Sequence, residues 1–410
     1  MYRKINFHEP SESSKIKKYV NQSLNSNYYS EGIFDYKVKK YLASNYGLKN
    51  TLITHSATGA LELSALIAKS SFPNKKVFLP SYTFSSTANA FIRAGFKIQF
   101  LDIVKENFMI DFKESVKKVQ NNILVPVHYA GFPVEMHGYR DFKKEGFLIE
   151  DAAQGLGATW KNKNVGTFGN LSAFSFHYTK NIHGGFAGLI SVNEKKYFEQ
   201  AKFIYERGTD RTKVVSGLKN RYQWVEIGSS FQVPDILAAI IYAQLEDYEV
   251  INKKRKKVYE FYSNLFSSKD YSSFFTLPKY SIESRHNNHA FFLIFNTDKQ
   301  ASNFIEFTKS KGVNCYIGYV PLHNSKMGKR LGLDNNFAHV QPSGMYHYHG
   351  TPTGLIEGLK IGKMQNDLIH VGYAGDGFKI FISKGNKYKS SYTLKSGNRI
   401  NGPPGRFDGT

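Results

Sequence analysis

The sequence predicts an α/β fold: a mostly parallel sheet covered by helices on both faces, followed by a smaller α/β domain. Three observations carry this. Short apolar runs alternate with helix-patterned runs between residues 51 and 192, and strands that are apolar throughout suit a sheet buried on both faces. The polar clusters "HSATGA", "PSYTF", "HYAG" and "EDAAQ" each follow an apolar run. They fall at the carboxyl ends of the strands, where ligands of such sheets gather. A long helical run, "DILAAIIYAQLEDYEVINKKRKKVYEFYSNL", then leads into a second strand–helix–strand pattern.

Taken in order, residues 14–48 are helical, with apolar residues at helical spacing in "SSKIKKYVNQSL" and "IFDYKVKKYLASNYG". The glycine of "YGLKN" is a stop signal. Next come "TLITHS" (strand), "ATGALELSALIAKSS" (helix), "KVFLPSYTF" (strand), "SSTANAFIRAG" (helix) and "KIQFLDI" (strand). "ILVPVHYAG" reads as a strand, "MHGYRDFKKEG" as a helix and "FLIEDAAQ" as a strand. "LSAFSFHYTKNIHGGFAGLISVN" reads as two strands around a tight glycine loop, and residues 195–213 as basic helix. After the long joining helix, "HNNHAFFLIFNTD", "ASNFIEFTKSKG" and "VNCYIGYVP" give strand, helix, strand. Beyond Leu333 helical periodicity fades into segments rich in Gly, Pro, Asn and His. The expected domains are 1–245, 246–333 and 334–410.

Lys plus Arg number 55 against 33 Asp plus Glu, a net charge of +22. Such a surplus suits an anionic partner. The basic residues are scattered in ones and twos, so compositional drift accounts for them as well, and a nucleic-acid partner is not expected. The single cysteine, Cys315, rules out an internal disulfide and suits a cytoplasmic location. "MYRKINFHEPSESSKIKKY" has no apolar core of a signal peptide. No apolar run reaches about 18 residues, so no membrane span is expected.

The chemistry is concentrated in the large domain. "THSATGAL" sets Ser56, Thr58 and Gly59 between a strand and a helix, where free N–H groups and the helix dipole make a phosphate seat; an ordinary N-cap reads the same way. Asp151 closes an apolar strand, as a helix cap or as the partner of a positive charge on a bound ring. Gln154 follows three residues later. Lys180 sits in "FSFHYTKNIHGGFAG", between aromatics and a glycine turn. A desolvated lysine has a lowered pKa and becomes a nucleophile toward carbonyls; an ordinary solvated lysine is the alternative. Phosphate seat, then acid, then lysine is the layout of a site for pyridoxal 5′-phosphate (PLP).

These motifs, with "LPSYTFSSTANAFIRAG", "VPVHYAG", "LIEDAAQGLGATWKNKNVGTFGNLSAFSFHYTKN", "ERGTDR", "YQWVEIGSSFQVPDILAA" and "YIGYVPLHNSKMGKRLG", resemble the DegT/DnrJ/StrS group of PLP-dependent sugar-nucleotide aminotransferases over about residues 14–332. The likeness is greatest to the branch acting on dTDP-4-keto-6-deoxyhexoses. The resemblance implies PLP-dependent transferase fold type I and a homodimer with shared active sites. It implies glutamate as amino donor, a nucleotide-linked keto-sugar as acceptor, and a role in surface polysaccharide synthesis. It also implies residue roles. Lys180 joins the cofactor and moves protons. Asp151 pairs with the ring nitrogen, Gln154 meets the ring hydroxyl, and Phe84 stacks on the ring. Thr58, Gly59 and Ser175 hold the phosphate, with Ser56 beside them. Ser230 reaches the phosphate of the other subunit, and His323 lies near the sugar.

Two departures from the group stand out. Phe186 and Ala187 occupy "GGFAG" where relatives read "GEGG"; Ala187 requires a negative φ. The likeness also ends near Gly332, and residues 334–410 resemble part of the YHYH family, named for the motif Tyr346, His347, Tyr348, His349. In a strand His347 and His349 share one face and suit zinc or copper, or simply a polar surface. Three rival readings therefore stand: a catalytically impaired homologue, a fused chain whose tail binds metal, and a basic polyanion binder.

Overall fold

The computed structural model describes residues 4–331 and four short strands beyond them. The chain divides into two units, Met1–Leu322 and His323–Thr410.

The first unit opens with helices α1 (Ile16–Asn25) and α2 (Ile33–Tyr46). α2 stops at Gly47, whose left-handed φ of 70° lets its N–H reach back to the carbonyl of Leu42. Strands and helices then alternate: β1 (Thr51–Thr54), α3 (Ala57–Ser71), β2 (Val77–Pro80), α4 (Ser85–Arg93), β3 (Ile98–Leu101), α5 (Phe112–Val119), β4 (Ile123–Leu124), α6 (Tyr139–Glu145) and β5 (Phe147–Asp151). A hairpin of β6 (Thr159–Trp160) and β7 (Lys163–Asn164) precedes β8 (Leu171–Ser175) and β9 (Gly188–Val192). Helices α7 (Phe198–Tyr205), α8 (Arg211–Val215), α9 (Asp235–Glu246) and α10 (Tyr248–Ser267) follow. β10 (Phe275–Thr276), β11 (Ser284–Arg285), β12 (Ile294–Phe295) and α11 (Asp298–Ser310) complete the unit.

Seven strands form one sheet in the order β1-β9-β8-β5-β4-β2-β3. β9 pairs antiparallel with both neighbours and the remaining pairs are parallel. Side chains alternate between the faces. Leu171, Ala173, Ile190 and Val192 enter one core with Leu61, Phe91 and Ile204 of α3, α4 and α7. Phe174 and Leu189 enter the other, with Phe34, Val38 and Leu245 of α2 and α9. The sheet is thus buried on both faces, and the carboxyl ends of its six co-directional strands line one edge, where β9 begins.

Four expectations change in the structure. "ILVPVHYAG" gives a ladder of two residues, because Pro126 has no N–H to donate. The chain stays extended beside β5, with Pro126 accepting from the Asp151 N–H at 2.9 Å and His128 donating to the Asp151 carbonyl at 3.0 Å. The long joining helix breaks at Asp247, whose carboxylate accepts from the Ser13 hydroxyl at 2.6 Å and pairs with Lys15 at 2.8 Å. "HNNHAFFLIFNTD" is strand only at Ile294–Phe295, since Asn287 and Ala290 donate to the Gly131 and Ala130 carbonyls instead. "VNCYIGYVP" forms no named strand: Val313 bridges Ile5, and the Tyr319 N–H goes to the Tyr82 hydroxyl at 3.2 Å.

Among the described residues, no helix is long and apolar enough to cross a membrane. The second unit contains helix α12 (Lys326–Leu331), the antiparallel pair β13 (Ala338–Val340) and β14 (Tyr346–Tyr348), and the pair β15 (Leu368–Tyr373) and β16 (Lys379–Ser383). His347 faces His339 in the backbone register of β13 and β14. His349 lies outside the described residues.

Candidate active site

Asp151 is the last residue of β5 and is 4% exposed. Its Oδ2 accepts from the Thr87 hydroxyl at 2.7 Å and its Oδ1 from the Ala153 N–H at 3.1 Å. Thr87 in turn takes the hydroxyl proton of Thr83, at 2.9 Å. Burial raises the Asp151 carboxyl above its usual range; the Thr87 bond, the Ala153 N–H and the positive charge of Lys180 act against it. A carboxylate fixed in this way can hold a cation or a protonated ring nitrogen.

The preceding residue, Glu150, points to the other face of the strand. It is fully buried and accepts three backbone N–H groups, from Gly166, Phe168 and Gly169, at 2.6–2.7 Å. His128 completes the set. Its Nδ1 accepts from Val134, so its Nε2–H is the donor to Glu150, at 3.1 Å. This knot anchors the end of β5 and hence Asp151.

Lys180 lies in the loop between β8 and β9. The hairpin is closed by Phe176 donating to the Ala187 carbonyl and Tyr178 to that of Gly185, each at 2.8 Å. Gly185 takes the left-handed φ of 76°, and Ala187 is not among the residues with positive φ, as its Cβ requires. Lys180 is half-buried. Burial lowers its pKa from 10.5 to about 8, and Asp151 acts against the shift. This is an amine poised for nucleophilic and acid–base work near neutral pH.

Ser56 caps α3, its hydroxyl accepting from the Gly59 N–H at 3.0 Å. The Thr58 hydroxyl meets that of Ser86, in the first turn of α4, at 2.8 Å. Two helix N-termini therefore adjoin at the sheet's carboxyl edge. Gly188 packs so closely there that a Cβ would lie 2.3 Å from the Ser56 carbonyl carbon. The Ser175 hydroxyl accepts from the His177 N–H at 3.2 Å. Phe84 is 57% exposed at the start of α4, its ring 6.0 Å from that of Tyr319. Gln154 accepts from the Ala130 N–H at 2.6 Å and donates to the Tyr319 hydroxyl at 3.4 Å. Ala130 holds a left-handed φ of 55°, a strained turn for a residue with a Cβ. Ser230 is exposed and bridges Glu206. His323 begins the second unit, in the turn Leu322–Asn324. Phe186 is 62% exposed with its ring edge-on to His177.

Sequence reasoning missed the residues that arrive from afar. Asn287 donates to the carbonyls of Gln154 and Leu156, both at 2.8 Å, and accepts from Asn181 at 2.7 Å. His289 meets Asn181 at 2.9 Å. The residue after Lys180 is thereby tied to the segment after Asp151. The run "RHNNH" was the available signal, since polar residues at the head of an apolar run need partners.

A family model described as the DegT/DnrJ/EryC1/StrS aminotransferase family matches residues 10–341. The chain belongs to this family. A second model, YHYH protein, matches residues 292–410, so the two overlap from 292 to 341. This DegT/DnrJ/EryC1/StrS aminotransferase is 30% identical over 316 residues to an uncharacterized protein of Methanocaldococcus jannaschii, covering 74% of this chain and 80% of that protein. It is 28% identical over 298 residues to the UDP-4-amino-4,6-dideoxy-N-acetyl-beta-L-altrosamine transaminase of Campylobacter jejuni, covering 71% and 77%. The fold matches the PLP form of the sugar aminotransferase Spr1654 of Streptococcus pneumoniae with a TM-score of 0.70 at 20% identity, covering 81% and 89%. The fold is that of the PLP-dependent transferases, and the family's cofactor is PLP. The residues present fit it: a depressed lysine amine, a buried carboxylate within its electrostatic reach, and hydroxyls at two helix N-termini on one sheet edge.

Proposed function

We propose that this aminotransferase transfers the amino group of glutamate to C-4 of a nucleotide-linked keto-deoxyhexose, with dTDP as the nucleotide, in the cytoplasm and in the service of surface polysaccharide synthesis. The observation that carries the reading is Lys180: a half-buried amine with a pKa near 8 at the carboxyl edge of the sheet, interacting with buried Asp151. PLP, when bound, supplies an aldehyde that joins amines and a ring that takes up the electrons released beside it. Lys180 Nζ would hold that aldehyde, and its free amine would take the proton from the α-carbon of the donor. In the return half-reaction it delivers a proton to the sugar carbon that becomes C–N. Asp151 holds the positive charge at the ring nitrogen. Gln154 would offer its amide to the ring hydroxyl, and Phe84 would cover a ring face. Ser56, Thr58, Gly59 and Ser175 receive the phosphate, and His323 meets the sugar.

The relative's printed name, a 4-amino-4,6-dideoxy-sugar transaminase, supports amination at C-4. Exposed apolar side chains between Val215 and Ile227, among them Leu218 at 75% and Trp224 at 78%, support a homodimer in which Ser230 serves the other subunit. A division into 1–245, 246–333 and 334–410 accompanies this reading.

The test is PLP uptake followed by turnover. Purified protein given PLP turns yellow, loses the colour in glutamate, and converts dTDP- or UDP-linked 4-keto-6-deoxyhexose to its 4-amino sugar by mass spectrometry. Lys180→Ala abolishes turnover. A wild-type protein that takes up no PLP refutes the proposal.

A further inference from the structure

Basic side chains gather beside Lys180, whose own acid neighbour is Asp151. His8 Nε2–H donates to the Tyr178 carbonyl at 2.7 Å, which leaves Nδ1 as an acceptor or a second protonation site. Asn181 donates its amide to the Asn287 carbonyl, so its Oδ1 accepts from His289 Nδ1–H at 2.9 Å, and His289 Nε2 is left for a further partner. Arg255, on α10, donates Nη1 to the His289 carbonyl at 3.2 Å, while its buried Nε has no partner. Among the described residues, the ion pairs of histidine and arginine are made by Arg93, His128, His137, Arg207 and Arg211, and by none of this group.

These groups feel one another. His289 is pushed well below its ordinary pKa by burial and by Lys180, Arg255 and His8. His8 is lowered by burial and by Arg255, His183 and His177. A guanidinium cannot shed its charge, so burying it beside other bases is costly unless an anion joins it.

We propose that His8, His289 and Arg255 form an anion-binding subsite beside Lys180, and that its ligand is the α-carboxylate of the amino donor. This rests on the aminotransferase reading for the identity of the ligand. The choice follows from bond counting. The α-carboxylate is attached to the carbon whose nitrogen reacts at the position of Lys180, and His289 interacts with that lysine. The diphosphate of a sugar nucleotide is attached at C-1, across the ring from C-4.

Glutarate, a dicarboxylate with no amine, is the probe, with pyrophosphate as the second arm; both are titrated by calorimetry into PLP-loaded protein. The wild type binds glutarate. His8→Gln and His289→Gln each weaken that binding about tenfold or more and leave PLP uptake in place. Arg255→Met weakens it further, and Arg255→Lys recovers part of it. Should Arg255→Met fail to fold by circular dichroism, His8→Gln decides, because His8 lies in the exposed N-terminal segment. Glutarate binding unchanged in His8→Gln and His289→Gln overturns the proposal. So does a site that binds pyrophosphate alone, which would assign it to the nucleotide. A wild type that takes up no PLP sinks the aminotransferase reading separately, and glutarate is then titrated into the bare protein to judge the subsite.

Discussion

Lys180 should react with aldehydes at a pH where other lysines do not. Its pKa is lowered from 10.5 to about 8, chiefly by burial. At pH 7 an amine with that pKa is unprotonated about one time in eleven, against about one in three thousand for an ordinary lysine, a ratio of about 300. The rate of PLP capture by cofactor-free protein, followed by visible absorbance in stopped flow, should rise about tenfold per pH unit and level off near pH 8. Dividing by the rate of N-acetyl-lysine in the same buffers removes the titration of PLP itself. Borohydride trapping and peptide mapping place the adduct on Lys180. Asp151→Asn removes the charge that favours the protonated amine, so the midpoint must move below 8. A rate that climbs without a break to pH 10, or a midpoint that rises in Asp151→Asn, would refute the electrostatic account of this lysine.

Glu150→Gln turns an amide group toward backbone donors in a fully buried site and should cost about 3 kcal/mol in urea unfolding; a change under about 1 kcal/mol would mean that the knot does not hold β5. Gly188→Ala drives a Cβ into the backbone of Ser56 and Ala57 at the start of α3. It should lower stability by about 1–3 kcal/mol and speed PLP release, measured by dialysis and thermal unfolding. Phe186→Ala removes an exposed ring and should change stability by less than about 0.5 kcal/mol. Steady-state kinetics should show altered KM for the sugar with PLP uptake intact, since the ring edges His177 beside the Lys180 loop.

Much of residues 33–192 could be read from sequence because the signals there are local. The strand–helix alternation, the Gly47 stop and the hairpin around Lys180 each depend on residues within one element of each other. Ser56, Asp151 and Lys180 each follow or close a strand marked in the sequence, β1, β5 and β8, and these three strands run in the same direction in the sheet. Residues 287–319 could not be read this way. Their apolar runs look like strands, yet their backbone donors go to distant partners: Tyr319 to the hydroxyl of Tyr82, Ala290 to the carbonyl of Ala130, and Asn314 to the carbonyl of Ile5 near the N-terminus.

The dipeptide Glu150–Asp151 shows why the rest stayed hidden. Both are acids at the end of one apolar strand, and both are buried. The period of two in a strand sends them to opposite faces. Glu150 meets the closed set of N–H groups at 166–169 and the imidazole of His128, so its hydrogen-bonding capacity is spent on the fold. Asp151 meets two donors and the field of Lys180 at the edge where the helices begin, and it keeps capacity for a ligand. Which acid is structural and which is chemical is decided by what stands opposite each face. Those opposing residues, Gly166 to Gly169 on one side and Thr87 and Lys180 on the other, are brought there only by the completed sheet.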